Sequence, residues 1–215
     1  GGLGMAVMMG VKRGLFSNEA GEGSTPNAAA TAAVSHPVKQ GLIQTLAVFT
    51  DTLLICTCTA LIILSSGLFD SGASGIELTQ IALDSELGGS RGTFFISIAI
   101  FFFAYTSVIA NYYYGEANLI FIFGEKTGRK VIFIYRFMVA GMVMLGSVMS
   151  LDTVWALADL MMALMTICNL TAILPLGKYA LLLLADYTRQ LKAGKDPEYH
   201  SSTIPEIAKE TECWK

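Results

Sequence analysis

The sequence predicts an all-α membrane protein, and three observations lead to that prediction. First, the 215 residues are 53% hydrophobic and only 14% charged, whereas an ordinary soluble domain carries about 25% charged residues. Second, several apolar runs reach the ~20 residues that a helix needs to cross a hydrocarbon core about 30 Å thick. Third, the Lys and Arg residues lie at the ends of these runs and form no basic patch, so a nucleic-acid interface is excluded.

About five segments are predicted to cross the membrane. Residues 1–12 form the end of the first segment. The four later segments are predicted at 41–66, 93–122, 131–150 and 153–176.

The last crossing segment is predicted to end at Pro175 and Gly177, because a proline removes a helix hydrogen bond. Residues 178–192 are then too short to span comfortably, and we expect an interfacial amphipathic helix there. This divides the chain into a transmembrane domain at 1–192 and a polar tail at 193–215. The chain opens on Gly1 inside an apolar stretch, so we expect it to lack the N-terminal part of a longer protein.

The connectors predict an orientation. Residues 14–40 form a polar, small-residue connector with a short helix expected at 26–34, and residues 67–92 form an acidic loop with room for a surface helix. Connectors 12–39 and 124–130 and the C-terminal segment hold almost all the bases. By the positive-inside rule these basic segments, and the C-terminus, are cytoplasmic in a multi-pass protein of the cell membrane, surrounded by lipid.

Two adjacent hydroxyl residues, Thr106 and Ser107, lie near the middle of a predicted span. Hydroxyl oxygens are ligands for a hard cation such as Na⁺. The alternative is that each hydroxyl bonds a carbonyl of its own helix, one turn earlier. The residues alone leave both interpretations open.

Polar residues at membrane depth are costly and often functional. Asp51 and Asp159 are carboxylates inside predicted spans, and each is either functional or a structural partner. Trp155, one turn before Asp159, is either an interface anchor or a lid over a small substrate. Arg13 and Glu19 are six residues apart in the connector and could pair as a latch or inner gate.

An enzymatic function is not expected. No Ser/His/Asp set, metal-ligand spacing or phosphate-binding loop is evident, because the connector string G-E-G-S-T-P lacks the G-K-[ST] ending and no strand precedes it.

Three strings carry a resemblance to a known family. They are R-G-L-F-S-N-E-A-G-E-G-S-T-P-N-A-A-A followed by H-P-V-K-Q-G and D-T-L-L-I-C-T-C-T-A, then F-A-Y-T-S…Y-Y-Y-G-E, and V-W-A-L-A-D-L-M-M-A-L-M-T-I-C-N-L-T-A. Together they resemble the alanine or glycine:cation symporters, over most of residues 1–176. Cys168 stands where family members often have Pro. The resemblance implies the second half of an inverted-repeat amino acid/cation symporter fold, which would couple sodium to uptake of alanine or glycine by alternating access.

The resemblance also implies roles for individual residues. Residues 1–10 would belong to the family's second broken helix, and Thr106 and Ser107 would bind the coupling sodium ion. The substrate-binding residues would be Gly2, Leu3, Met5, Ala6 and Trp155. The gating or structural motif would comprise Arg13, Ser17, Asn18, Glu19, Asp51 and Asp159.

The expected partners are therefore a small neutral amino acid, Na⁺ as coupling ion, membrane lipid and the N-terminal half of the same protein. The alternative function is a non-transporting sensor or scaffold that keeps the transporter fold. That alternative predicts loss of the midplane hydroxyls, whereas Thr106 and Ser107 are both present.

Overall fold

The structure of the chain, a computed structural model, describes residues 1–206 and residue 208, except for the side chains of residues 125–129. It is built from helices, and no strand occurs in this part of the chain. The helices are α1 Gly2–Asn18, α2 Thr25–Ala29, α3 Pro37–Thr50, a π-helical segment Asp51–Cys56, α4 Thr57–Ser66, α5 Gly75–Leu87, α6 Arg91–Val148, α7 Leu151–Lys192 and a short 3-10 turn Ser201–Thr203.

Four helical stretches of the described chain are long and apolar enough to cross a membrane. They are Pro37–Ser66, Arg91–Gly124, Lys130–Val148 and Leu151–Lys192. The first three confirm the predicted spans, and the fourth confirms the position of the last one. Large apolar side chains such as Leu46, Phe101 and Met144 are exposed along them, which is the pattern that a hydrocarbon solvent favours.

The predicted end of the last span at Pro175 is wrong. Helix α7 runs without a break from Leu151 to Lys192, with Pro175 inside it. A proline removes one backbone hydrogen bond, but apolar membrane helices tolerate it where local adjustments satisfy the freed carbonyl. Residues 178–192 are therefore the end of α7 and not a separate helix.

The predicted connector after residue 123 is confirmed at Gly124. This residue has φ 70° and ψ 164°, which interrupts the helical path of α6. Only glycine adopts such a backbone conformation at little cost. The interruption separates the two spans that α6 contains.

The two predicted connector helices both form. Helix α2 is shorter than expected, at Thr25–Ala29, and Pro26 lies in its first turn. Helix α5, in the acidic loop, positions Asp84 at the start of α6: its Oδ1 accepts the backbone N–H of Thr93 at 2.9 Å, and its Oδ2 accepts the Thr93 hydroxyl at 2.5 Å. These hydrogen bonds lower the pKa of Asp84, because they stabilise the ionised carboxylate at a helix N-terminus.

The chain divides into two compact units. The first unit comprises Gly1–Asn18 and Phe49–Val154, and the second comprises Glu19–Val48 and Trp155–Lys215. Residues 14–18 of the polar connector therefore belong to the first unit, and residues 19–40 belong to the second.

Candidate functional site

The hydroxyl pair lies in the middle of the first span of α6, and both residues are exposed. The Thr106 hydroxyl donates to the carbonyls of Phe102 and Phe103, at 2.9 and 3.1 Å. This is the structural alternative that the sequence left open. It does not remove the hydroxyl as a ligand, because a hydroxyl that donates one hydrogen bond keeps its oxygen lone pairs for a cation.

The residues proposed to border the substrate lie on α1. Leu3 and Met5 are exposed, at 83% and 58% of their surface, and Gly2 and Ala6 lie on the same helix. The expectation that residues 1–10 contain a helix break is wrong, because α1 is continuous from Gly2 to Asn18. A glycine in a helix costs about 1 kcal/mol relative to alanine, and the glycines here do not interrupt the backbone.

The helical path of α1 ends at the connector motif. Glu19 has φ 53° and is the one non-glycine residue with positive φ among the described residues. Gly21 and Gly23 follow with φ of 85° and 90°. The string N-E-A-G-E-G therefore makes the turn, and the small residues serve the backbone conformation.

Two side-chain hydrogen bonds join the end of α1 to the π-helical segment in the first unit. The Ser17 hydroxyl donates to Oδ2 of Asp51 at 2.7 Å, and Nδ2 of Asn18 donates to Oγ1 of Thr52 at 2.8 Å. The Ser17 hydroxyl also lies 3.7 Å from Sγ of Cys56. We call this set the α1–π junction. It brings together three predicted motif residues, Ser17, Asn18 and Asp51.

The π-helical segment was not predicted from the sequence. Single π-helical turns inside α-helices are rare and occur often at functional sites. The segment Asp51–Cys56 starts at the intramembrane carboxylate and contains both Thr52 and Cys56. The sequence signal is the run of polar side chains, Thr50, Asp51 and Thr52, inside an otherwise apolar span.

A buried polar cluster holds the connector on α7 in the second unit. Ser24 and Glu22 are 3% and 8% exposed, and the Ser24 hydroxyl donates to the Glu19 carboxylate. Nδ2 of Asn169 donates to the carbonyl of Gly21 at 2.9 Å. A Cβ at Gly23 would lie 3.0 Å from Cβ of Asn169. Asn169 is thus a functional candidate that the sequence reasoning missed, although it lies in the third quoted string.

Electrostatics in this cluster favour an uncharged Glu22. Burial, and then the neighbouring Glu19 carboxylate, raises the pKa of Glu22. Both effects disfavour a second negative charge in a desolvated place. The connector therefore contains a carboxyl group that takes up a proton more readily than an exposed glutamate.

The remaining predicted residues lie at known places in the fold. Trp155 and Asp159 are half-buried and one turn apart in α7, in the second unit. Arg13 is half-buried on α1, in the first unit. The pairing of Arg13 with Glu19 stays a prediction. Among the described residues, no group of three or more His, Cys, Asp and Glu side chains is placed to hold a metal ion.

Comparison with known proteins identifies the family that this chain resembles. The profile of the sodium:alanine symporter family matches residues 1–201. The probable sodium/glutamine symporter GlnT of Bacillus subtilis is 52% identical over 215 residues, covering 100% of this chain and 44% of that protein. The sodium/proton-dependent alanine carrier protein of Bacillus sp. PS3 is 41% identical over 93% of this chain and 48% of that protein.

A more distant relative is archaeal. The sodium/alanine symporter AgcS of Methanococcus maripaludis is 38% identical over 179 residues, covering 81% of this chain and 38% of that protein. The chain thus spans less than half the length of these relatives. No solved structure matches the chain significantly.

Proposed function

The chain belongs to the sodium:alanine symporter family, and from this premise we propose that it takes part in sodium-coupled symport of a small neutral amino acid across the cell membrane by alternating access. The observation that carries the proposal is the family match over residues 1–201. The four apolar helices long enough to cross a bilayer support it. In the proposed transporter this chain is the second inverted repeat of five helices, and the first repeat completes the pathway.

We assign the sodium site to the hydroxyl oxygens of Thr106 and Ser107. Sodium is a hard cation that prefers oxygen ligands. Two neighbouring hydroxyls at midspan supply such oxygens where few other polar atoms are present, and polar groups at this depth are retained mainly for function. Backbone carbonyls of an interrupted helix from elsewhere in the transporter would complete the coordination.

We assign substrate contact to Gly2, Leu3, Met5 and Ala6 on α1 and to Trp155 on α7. A zwitterionic amino acid needs a positive helix end or a cation for its carboxylate, and carbonyls or hydroxyls for its ammonium group. Glycine and alanine on the substrate side allow close approach of the backbone. The bulky Leu3, Met5 and Trp155 would limit the size of the side chain that fits.

The substrate is proposed to be alanine or glycine. The PS3 and archaeal relatives carry alanine in their names, whereas the Bacillus subtilis relative carries glutamine. Glutamine is neutral but longer, so it tests the size limit. The name of the PS3 relative also includes the proton. The hydroxyl pair favours sodium as the coupling ion here, because a coupling proton needs a titratable group and a hydroxyl does not titrate near neutral pH.

The residues Arg13, Ser17, Asn18, Glu19, Asp51 and Asp159 are proposed to form the inner gate and its supports. The α1–π junction supports this proposal, because its two hydrogen bonds link the end of α1 to the π-helical segment through side chains that are not buried. Opening such a junction costs little, since a net hydrogen bond of this kind is worth about 1 kcal/mol.

The experiment that tests the function is uptake of labelled alanine by proteoliposomes containing the complete gene product. An inward sodium gradient is expected to drive accumulation, and replacing sodium by potassium is expected to reduce it at least about tenfold, which corresponds to ~1.4 kcal/mol of coupling. Glycine is expected to compete strongly and glutamine weakly. Equal accumulation with sodium and with potassium would contradict symport, and transport of glutamine in preference to alanine would contradict the size limit.

A further inference from the structure

A buried cluster at the start of α3 has no part in the proposed transport site. His36 is fully buried, and its ring packs edge-on against Tyr187 and Tyr199, with centroid distances of 5.3 and 5.8 Å. Its Nε2 lies 3.6 Å from Oδ2 of Asp186, which is itself only 7% exposed. An imidazole and a carboxylate buried together are costly unless each has a defined partner.

Residues 195–204 cover this cluster, and we call them the C-terminal strap. The backbone N–H of Tyr199 donates to the carbonyl of Ser35 at 2.9 Å, and the Ser35 hydroxyl donates to the carbonyl of Pro197 at 3.1 Å. The side chain of Gln190 bonds both backbone groups of Glu198, at 2.8 and 3.0 Å. Tyr199 is 4% exposed, so the strap inserts an aromatic side chain beside His36.

The protonation state of His36 follows from its hydrogen bonds. Its Nδ1 accepts the backbone N–H of Val38 at 3.2 Å, so His36 acts as the N-cap of α3, bonding the second residue of the helix. In a neutral imidazole one nitrogen accepts and the other donates. Nδ1 is therefore unprotonated, and Nε2 carries the hydrogen that faces Asp186.

We propose that the C-terminal strap is an acid-sensitive clamp, which holds the connector to the end of α7 only while His36 is neutral. A proton added to Nδ1 converts the cap into a donor that faces the donor N–H of Val38, so the cap is lost. It also places a full positive charge at the N-terminus of a helix, where the helix dipole disfavours cations. The charged His36 ring, against which Tyr199 packs, must then leave the buried cluster or become hydrated.

The charged groups around His36 come from three elements. Lys39 on α3 opposes protonation, whereas Asp186 on α7 favours it. Asp186 is shared with Arg189 and with Gln190, whose Nε2 lies 2.7 Å from it. The strap contributes Asp196, which pairs with Lys39 at 2.5 Å. It also contributes Glu198, whose backbone forms hydrogen bonds with the side chain of Gln190. Burial, and then the Asp186 carboxylate, raises the pKa of Tyr199, so its phenol stays neutral in this pH range.

Burial is the largest influence on His36, and it lowers the pKa of the imidazole below its ordinary value of 6.5, although Asp186 acts in the opposite direction. This direction decides how the stability of the clamp changes with pH. The released state binds the proton more readily than the clamped state, so the clamp is fully stable above about pH 6.5. It loses stability as the pH falls from there towards the lowered pKa.

The test is amide hydrogen exchange of the strap in the complete gene product, in detergent, at about pH 7.5 and about pH 5, a window in which His titrates while most carboxylates stay ionised. Protection of the peptide containing Tyr199, corrected for the intrinsic pH dependence of exchange, is expected to fall at least about tenfold at the lower pH. Unchanged protection would overturn the proposal, because it would mean that Asp186 compensates the imidazolium in place.

Two variants test whether His36 is the group that makes strap protection depend on pH. His36→Asn keeps a capping acceptor that does not titrate, so strap protection is expected to become independent of pH. His200→Asn removes the other histidine of the chain, which is exposed in the strap, and is expected to behave like the unaltered protein. Equal pH dependence in His36→Asn and in the unaltered protein would overturn the proposal.

A third variant keeps the proposal falsifiable if His36→Asn fails to fold. Asp186→Asn removes the carboxylate that favours the imidazolium inside the clamp, so acid destabilises the clamp more and the midpoint of release is expected to move to higher pH. A midpoint that stays in place or moves to lower pH would overturn the assignment of release to His36. None of these readouts depends on transport, so they remain informative even if the proposed substrate is wrong.

Discussion

The polar connector is attached at two places, and the two attachments differ in kind. In the first unit, the α1–π junction uses two hydrogen bonds between half-exposed side chains. In the second unit, Glu22 and Ser24 are buried, and a Cβ added at Gly23 would lie only 3.0 Å from Cβ of Asn169. The junction therefore has the properties of a contact that opens and closes, whereas the Gly23–Asn169 contact has those of a fixed anchor.

The largest expected effect comes from adding a Cβ at Gly23, in its close contact with Asn169. Gly23→Ala adds a Cβ at 3.0 Å from Asn169, at a residue with φ 90°. Left-handed strain costs about 1–2 kcal/mol, and the steric overlap adds to it. We expect a clear fall in the thermal unfolding temperature of the complete gene product in detergent, together with loss of transport.

Gly21→Ala is the matched control for this substitution. Gly21 has a similar φ of 85° but has nothing within 4 Å of a built Cβ, so it reports strain without the clash. Its unfolding temperature is expected to fall by less. If both substitutions destabilise equally, close packing on Asn169 is not what fixes the connector.

A smaller effect is expected at the α1–π junction. Ser17→Ala removes the hydrogen bond to Asp51, which is worth about 1 kcal/mol and corresponds to roughly a fivefold change in an equilibrium. We expect a change of a few-fold in the alanine uptake rate, with the unfolding temperature nearly unchanged, because Ser17 is exposed and its removal leaves no buried polar group unpaired.

Ser65→Ala provides the comparison for the junction. The Ser65 hydroxyl is exposed and donates to the carbonyl of Ile62 in its own helix at 3.1 Å, so its loss is expected to leave uptake unchanged. A Ser17→Ala variant with the uptake rate of Ser65→Ala would show that the junction is not part of the gate.

The contrast between the two attachments also shows what the sequence could predict. Hydropathy located the three predicted spans at 41–66, 93–122 and 131–150 within a few residues, because crossing a bilayer imposes a length and an apolar composition on each helix. The same argument misplaced the end of α7 at Pro175, since a proline in an apolar helix does not necessarily end it. The π-helical segment was missed because its extra residue per turn leaves no mark on composition.

The sequence predicted which residues belong to the candidate site better than it predicted how they are arranged. The motif strings pointed to Ser17, Asn18 and Asp51, but only the fold shows that Ser17 and Asp51, which are 34 residues apart, are bonded to each other. The predicted break within residues 1–10 was wrong, because small residues permit an interruption without requiring one. The strap was predicted only as a polar tail, since its role depends on the buried His36 that it covers.

The most direct test of the central claim, that Thr106 and Ser107 hold the coupling ion, is the sodium dependence of alanine uptake by the Thr106→Ala/Ser107→Ala variant. Thr45→Ala/Ser147→Ala is the matched control, because both of its hydroxyls are exposed and donate to carbonyls of their own helices. The account predicts that the site variant needs at least about tenfold more sodium for half-maximal uptake, or loses sodium dependence, a difference of ~1.4 kcal/mol or more. The control is expected to retain the sodium dependence of the unaltered protein, and a site variant that also retains it would contradict the account.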